Sequence, residues 1–418
     1  MIELVAVVIS MAVLIALIRL KVSIGVALVV EGLIMVLIAN PALLPEVLTT
    51  TVTSERTVSL VLASLTISLL VELYEVTRLI NGLSKELLNF IKKPYLIILV
   101  VPALMGLLPI AGGALMSAPV VGSVGAYMGL SPAMMAFLNV WFRHTVAFVY
   151  PMSQPLVTAA TLTGHSVMEL AIYQVPIVCG MIIIGLYLMR RGTTEGSGAV
   201  YKTDGVADTR RLLIYMSPIL FSLAVALLSN PILRELSIYS DYSVAVGGLA
   251  GVLTIVVVSR AYGGAAVTLP DFLKSLRSEK VVNMVLSSLG AMLIYYAMLG
   301  TGISSAVGAL ISSSGFPDII AKIMLPGLLS LTSGSTIVGI TSSVPLLASS
   351  LSSVGDSSLI YLSSFLFYLA SPTHLCLAFT VQYFRENLIR VYKYLLPTTA
   401  LLFLTAIAYY NAIFLTLK

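Results

Sequence analysis

The chain has 418 residues, 59% of them hydrophobic and 10% charged, and carries a formal net charge of +5. Soluble globular domains sit near half apolar and a quarter charged, so a water-soluble domain is excluded, as are collagenous, disordered and disulfide-rich chains. In a membrane protein a positive balance reports basic residues held on the cytoplasmic side; the expected partner is the lipid bilayer of the cell membrane, and no nucleic acid is expected.

Ten apolar segments are long enough to span, at about Ile2–Ile18, Val22–Leu44, Val58–Ile80, Ser131–Gly164, Met168–Met189, Leu212–Ser229, Tyr242–Ser259, Val281–Gly300, Ser358–Phe379 and Tyr394–Leu417. The first has no basic residue before it, and Arg19 and Lys21 follow it. It therefore reads as a retained helix, not a signal peptide. Two further apolar stretches, at about 95–128 and 318–350, are broken near their middles at Pro109-Ile110-Ala111-Gly112-Gly113 and Thr332-Ser333-Gly334-Ser335-Thr336. Each half is about 15 residues, short for a crossing, so both stretches read as re-entrant hairpins. Two short crossings per stretch would leave the rest of the topology unchanged.

With both termini outside, the inner loops hold 18 Lys and Arg residues and the outer side holds 4, with Arg143 left inside the membrane. The polar stretch 190–211 reads as a cytoplasmic linker between residues 1–189 and 212–418, with five spans on either side. Five is odd, so the second half enters inverted relative to the first. The halves also share sequence. Gly106-Leu107-Leu108 followed by Gly113 matches Gly327-Leu328-Leu329 followed by Gly334, and the same offset of 221 maps Pro151 onto Pro372 and Pro176 onto Pro397. The expected fold is an all-α polytopic membrane protein of about ten transmembrane helices plus two re-entrant hairpins in an inverted repeat. That pattern points to a secondary transporter with a midplane site.

The candidate residues follow from the interruptions. At the hairpin tips these are Gly112, Gly113, Ser333, Gly334, Ser335 and Thr336, with Ser117 close by. Exposed amides at half-helix starts favour an anion and free carbonyls a cation; the alternative is small residues for tight helix packing. In the fourth and ninth spans Pro151, Pro155 and Pro372 must interrupt the helix, and Ser153, Gln154, Ser371, Thr373 and His374 offer polar side chains at the breaks. Arg143 has Asn139 one turn before it and is suited to a carboxylate or phosphate. It is equally readable as a structural partner of Glu31, Glu72 or Glu75. Glu31, near the centre of its span, is either a proton carrier or that partner. Ser117, Ser335, Thr336, Ser371, Thr373 and Glu31 form the candidate coupling-ion set. Asp318 and Lys322 are expected to pair at the surface. Cys179 and Cys376 read as buried small hydrophobes. His144, His165 and His374 lie at no metal-ligand spacing, so no metal is expected. No nucleotide-binding loop or protease string is present, so no cofactor and no enzyme activity are expected.

The strings Leu108-Pro109-Ile110-Ala111-Gly112-Gly113-Ala114-Leu115-Met116-Ser117-Ala118-Pro119 and Asn139-Val140-Trp141-Phe142-Arg143-His144 resemble an uncharacterised prokaryotic membrane family, domain of unknown function four hundred and one. That family is grouped with the Ion Transporter superfamily of citrate, dicarboxylate and gluconate carriers. The resemblance implies a scaffold domain, a mobile transport domain with two hairpins, an elevator mechanism, a homodimer, and drive by sodium ions or protons. Sodium-coupled dicarboxylate members carry Ser-Asn-Thr at the tips, whereas the tips here read Ala-Gly-Gly-Ala and Ser-Gly-Ser-Thr, so both coupling ions stay open. The expectation is uptake or export of a small carboxylate-type anion. Spans four and nine and the hairpins would form the transport domain, and spans one, two, six and seven the scaffold and dimer contact. A passive anion channel is the alternative.

Overall fold

A computed structural model describes residues 2–107, 114–193, 208–239, 241–262, 265–313, 315 and 317–416. Among the described residues every regular element is helical. The first half contributes α1 (Ile2–Arg19), α2 (Ile24–Ala39), α3 (Leu44–Thr53), α4 (Glu55–Val76), α5 (Leu79–Phe90), α6 (Pro94–Gly106), α7 (Ala114–Tyr127), α8 (Pro132–Thr145), α9 (Gln154–Thr163) and α10 (Val167–Gly192). The second contributes α11 (Thr209–Glu235), α12 (Tyr242–Tyr262), α13 (Leu269–Leu276), α14 (Glu279–Gly300), α15 (Ile303–Ser313), α16 (Asp318–Ser333), α17 (Thr336–Leu346), α18 (Val354–Ala370), α19 (Leu375–Tyr383) and α20 (Leu388–Thr416).

Eight of these elements are long and apolar enough to cross a membrane, with α18 and α19 taken together: α1, α4, α10, α11, α12, α14, α18–α19 and α20. Sequence predicted ten. The segment at Val22–Leu44 stops as a helix at Ala39, because Asn40 turns extended, accepts from the Ala42 amide and leads into Pro41. The segment at Ser131–Gly164 is split into α8 and α9. The third segment, expected to reach Ile80, ends at Val76, and Arg78 takes a left-handed φ of 56°. The stretches expected as hairpins form two helix pairs, α6 with α7 and α16 with α17, each packed together.

Local chemistry sets the helix starts. Ser131 accepts from the Met134 amide with Pro132 in the first turn, and full capping boxes open α10 (Ser166 with Glu169) and α18 (Ser353 with Asp356). These satisfy amides that neither helix nor lipid can reach.

The packing is reciprocal between the halves. Helix α2 lies on α14 and α12 lies on α4; α17 packs on α9 and α7 on α19; α18 packs on α10 and α8 on α20. Two groups of helices result. One holds α1–α5 with α11–α15, and the other α6–α10 with α16–α20; the core around Phe137, Trp141, Phe148, Tyr361 and Phe365 lies mostly in the second and is continued by Leu60, Ala63, Ala226 and Met292 of the first. Within each group, inter-helix hydrogen bonds run from Ser64–Ser288 at 2.5 Å and Tyr361 to the Ala147 carbonyl at 2.8 Å up to Arg56–Tyr295 at 3.4 Å. Among the described residues, few side-chain contacts of this kind cross between the groups: Gln154 to the Met284 carbonyl at 3.3 Å, Ser222 to the Met152 sulfur at 3.8 Å, and Glu31 against Ser342.

Helices without a hydrophobic drive to associate rely on close approach at small residues. At Gly290 a Cβ would meet the Leu28 Cβ at 2.7 Å and the Val29 amide at 2.8 Å. Backbone cannot yield as a side-chain tip can, so Gly290→Val is expected to push α2 off α14. The cost is about 1–3 kcal/mol or more for overpacking, read as a lower thermal midpoint in detergent, with Gly290→Ala intermediate.

Two expected pairings are corrected. Lys322 does pair with Asp318 at 2.5 Å, but it is buried, not at the surface, and also binds Asp356 at 2.7 Å. The α18 N-terminus packs over α16, which removes the lysine from solvent. Cys179 is exposed on α10 and only Cys376 is buried, because α10 turns that side away from the core.

Candidate functional site

Three half-helices begin at one place. The fourth predicted span breaks after a single 3-10 turn at Val146–Phe148, and α9 restarts at Gln154 behind Pro155. Its counterpart breaks after Ala370, and α19 restarts at Leu375 behind Pro372. The second helix pair turns at Gly334, whose φ of +65° ends α16, and α17 restarts from Ser335. A Cβ at Gly334 would sit 2.5 Å from the Thr373 hydroxyl, so glycine is needed both for the turn and for its contact with the second break. Ser371 fixes that contact, donating to the Leu331 carbonyl at 2.6 Å and bonding the Thr373 hydroxyl at 2.8 Å.

A cavity of about 290 Å³ opens between these elements. Its wall includes Arg143, His144, Ser153, Gln154, Gly334, Ser335, Thr336 and Cys376, together with Gly106 and Leu107 at the end of α6. None of the described lining residues is acidic. Each helix start presents unpaired amides worth roughly half a positive charge, so α9, α17 and α19 supplement the Arg143 guanidinium. Arg143 is buried and donates to the Met105 carbonyl at 2.7 Å. The structure thus brings Arg143, Ser153, Gln154, Gly334, Ser335 and Thr336 to one cavity, while Ser371 and Thr373 lie just behind the second tip.

Other candidates lie elsewhere. Asn139 is fully buried in a knot that ties α8 to α7 and α19: it accepts from Ser117 at 2.6 Å and donates to the Ala114 carbonyl and to Thr380. Ser117 belongs to that knot. Ser333 donates back to the Leu329 carbonyl at 2.6 Å. Glu31 is buried on α2 against Ser342 of α17, away from the cavity wall. Glu72 and Glu75, offered as partners of Arg143, flank Lys280 instead. Gly112 and Gly113 lie outside the described residues.

The structure also assembles a group that chain spacing kept apart. His144, His374 and Cys376 present ligand atoms all within 4.8 Å of one another. His144 comes from α8, the other two from the second break, and a separation of 230 positions in the chain hides the cluster from any motif search.

The fold is similar to a solved one, the crystal structure of the Alcanivorax borkumensis YdaH transporter, described as having an unusual topology. The TM-score is 0.59 at 12% identity, covering 89% of this chain and 88% of that one. No curated protein matches in sequence. Residues 2–413 match the family described as "Protein of unknown function (DUF401)", and the chain belongs to that family.

Proposed function

We propose that the chain is a secondary active transporter of a small anionic, carboxylate-type organic solute, bound between Arg143 and the starts of α9, α17 and α19. The observation that carries this reading is the convergence of one guanidinium and three half-helix N-termini on a cavity whose described wall has no acidic residue. Ser153, Gln154, Ser335 and Thr336 supply further hydrogen bonds; Gly112 and Gly113, outside the described residues, are substrate-binding candidates from the sequence. Thr373 supports it from behind the second tip, while Ser333, Asn139 and His374 are candidates from the sequence that do not line the cavity.

An inverted repeat is supported by the reciprocal packing and by one pair of serines. Ser64 and Ser288 are each the tenth residue of their helices, α4 and α14, and they touch each other. A residue that meets its own counterpart lies on a two-fold axis. An elevator movement of α6–α10 with α16–α20 against the remaining helices fits the small number of side-chain hydrogen bonds that cross between the groups, since a sliding surface cannot hold many directional contacts. The remaining helices would form the scaffold, with α1, α2, α11 and α12 as the scaffold and homodimer contact in the cell membrane, both termini outside. Protons or sodium ions would drive transport, with Glu31, Ser117, Ser335, Thr336, Ser371 and Thr373 as coupling-ion candidates, within the Ion Transporter superfamily. The fold likeness to a transporter supports the same reading.

The test is uptake of radiolabelled mono-, di- and tricarboxylates into proteoliposomes, with and without sodium and pH gradients. Saturable, gradient-stimulated uptake of at least one acid is expected. Flux that neither saturates nor responds to a gradient would make the protein a channel.

A further inference from the structure

We propose that His144, His374 and Cys376 bind a thiophilic transition-metal ion, zinc in the simplest case, with one coordination position open to the cavity. The donor set comes first. Two imidazoles and a thiol are the ligands of soft and borderline metals; sodium, magnesium and calcium prefer oxygen. Three protein ligands plus an open position is the arrangement of reactive zinc sites, as opposed to closed structural ones.

Geometry agrees. In a tetrahedral zinc site the ligand atoms lie about 3.5 Å apart, and here they are within 4.8 Å before any ion draws them in. His144 is prepared as a ligand. Its Nδ1 lies 2.7 Å from the Val140 carbonyl, which has no proton to give, so Nδ1 carries the hydrogen and Nε2 keeps its lone pair. A metal-bound histidine characteristically donates its other ring N–H to such a carbonyl, which fixes tautomer and ring orientation. His374 supplies the independent signal. It is fully buried, and neither ring nitrogen makes a hydrogen bond of full geometry; the polar groups nearest to them are the Cys376 thiol and the Leu369 backbone. A buried polar ring left unsatisfied is costly, and a metal–nitrogen bond satisfies it.

The surroundings leave one direction open. The Tyr368 ring stands 4.1 Å from His374, and the two histidine rings meet edge-on at 4.8 Å. His144 and Cys376 line the cavity, so the fourth position faces its interior, beside Arg143. An ion there adds a fixed positive charge where an anionic oxygen would coordinate. Metal binding itself does not depend on the chain carrying a solute.

The full chain has two cysteines, so in a Cys179→Ala background every thiolate signal belongs to Cys376. That protein, purified in detergent and titrated with Co²⁺, is expected to take one equivalent and to show a sulfur-to-cobalt charge-transfer band that one equivalent of Zn²⁺ removes. Cys376→Ser and His374→Ala are each expected to weaken Zn²⁺ binding by at least about a hundredfold, more than the loss of an outer-shell partner. His165→Ala is expected to leave it unchanged. Absence of the charge-transfer band in the Cys179→Ala protein, or Zn²⁺ affinity unchanged in monodisperse Cys376→Ser, overturns the proposal. Because the readout on the Cys179→Ala protein leaves all three ligands in place, it stays decisive even where a ligand variant fails to fold.

Discussion

Arg143→Ala is expected to abolish saturable uptake of the best carboxylate substrate. The side chain is buried, holds the Met105 carbonyl at 2.7 Å and borders the cavity. Truncating one member of a buried, hydrogen-bonded charge pair costs about 2–5 kcal/mol. That corresponds to a loss of roughly thirtyfold to several thousandfold in affinity. Arg143→Lys keeps the charge but loses the planar fork that grips a carboxylate while still reaching a carbonyl, so it is expected to fall between the two. Elution as a folded species separates lost binding from lost structure. Should the alanine variant transport with unaltered KM and maximal rate, the anion-binding role of Arg143 is wrong.

The second large effect concerns stability. Lys322→Ala is expected to destabilise the protein by about 3–5 kcal/mol, the cost of leaving a buried charge without its partner. The side chains of Lys322 and Asp356 are each only 8% exposed, whereas that of Asp318 is 45% exposed and can turn to water. Asp356 also accepts from the Ser352 and Ser353 amides, so it cannot follow Asp318 outward. In detergent the thermal midpoint should fall by on the order of 5 °C. Pairing Lys322→Met with Asp356→Asn removes both charges and should restore most of that loss, because a matched neutral pair leaves no orphan charge. A single variant with an unchanged midpoint would mean that water reaches Asp356.

What could be read from the sequence was whatever proline, glycine and hydropathy decide locally. The breaks at Pro151, Pro155 and Pro372 and the turn at Gly334 are where the residues require them, since proline removes a donor and glycine alone turns left-handed at no cost. Segment ends were less legible. Helix α2 stops at Asn40, where a side-chain acceptor outcompetes continued helix within an apolar run. The short amphipathic α3 and α13 were submerged in loops. Least legible was everything made by packing between distant helices. Asn139 looked like a ligand one turn from Arg143, yet it faces Ser117 and Thr380. Lys322 looked superficial until α18 covered it. The two histidines and Cys376 meet only because α19 is laid against α8.

The crossed packing has a consequence for biogenesis. The interrupted helix of the amino-terminal half rests on α17, and that of the carboxy-terminal half on α7. Each half thus lends the other a helix that covers its break, beyond the local bonds that the Tyr150, Ser153, Ser371 and His374 amides make within their own half. As the ribosome delivers the first ten helices, the break at Tyr150 to Ser153 is expected to lack its α17 cover until the last third of the polypeptide arrives. Packing of the breaks is therefore expected to be complete only after synthesis, and two separately expressed halves should have to meet in the bilayer before either acquires protease resistance.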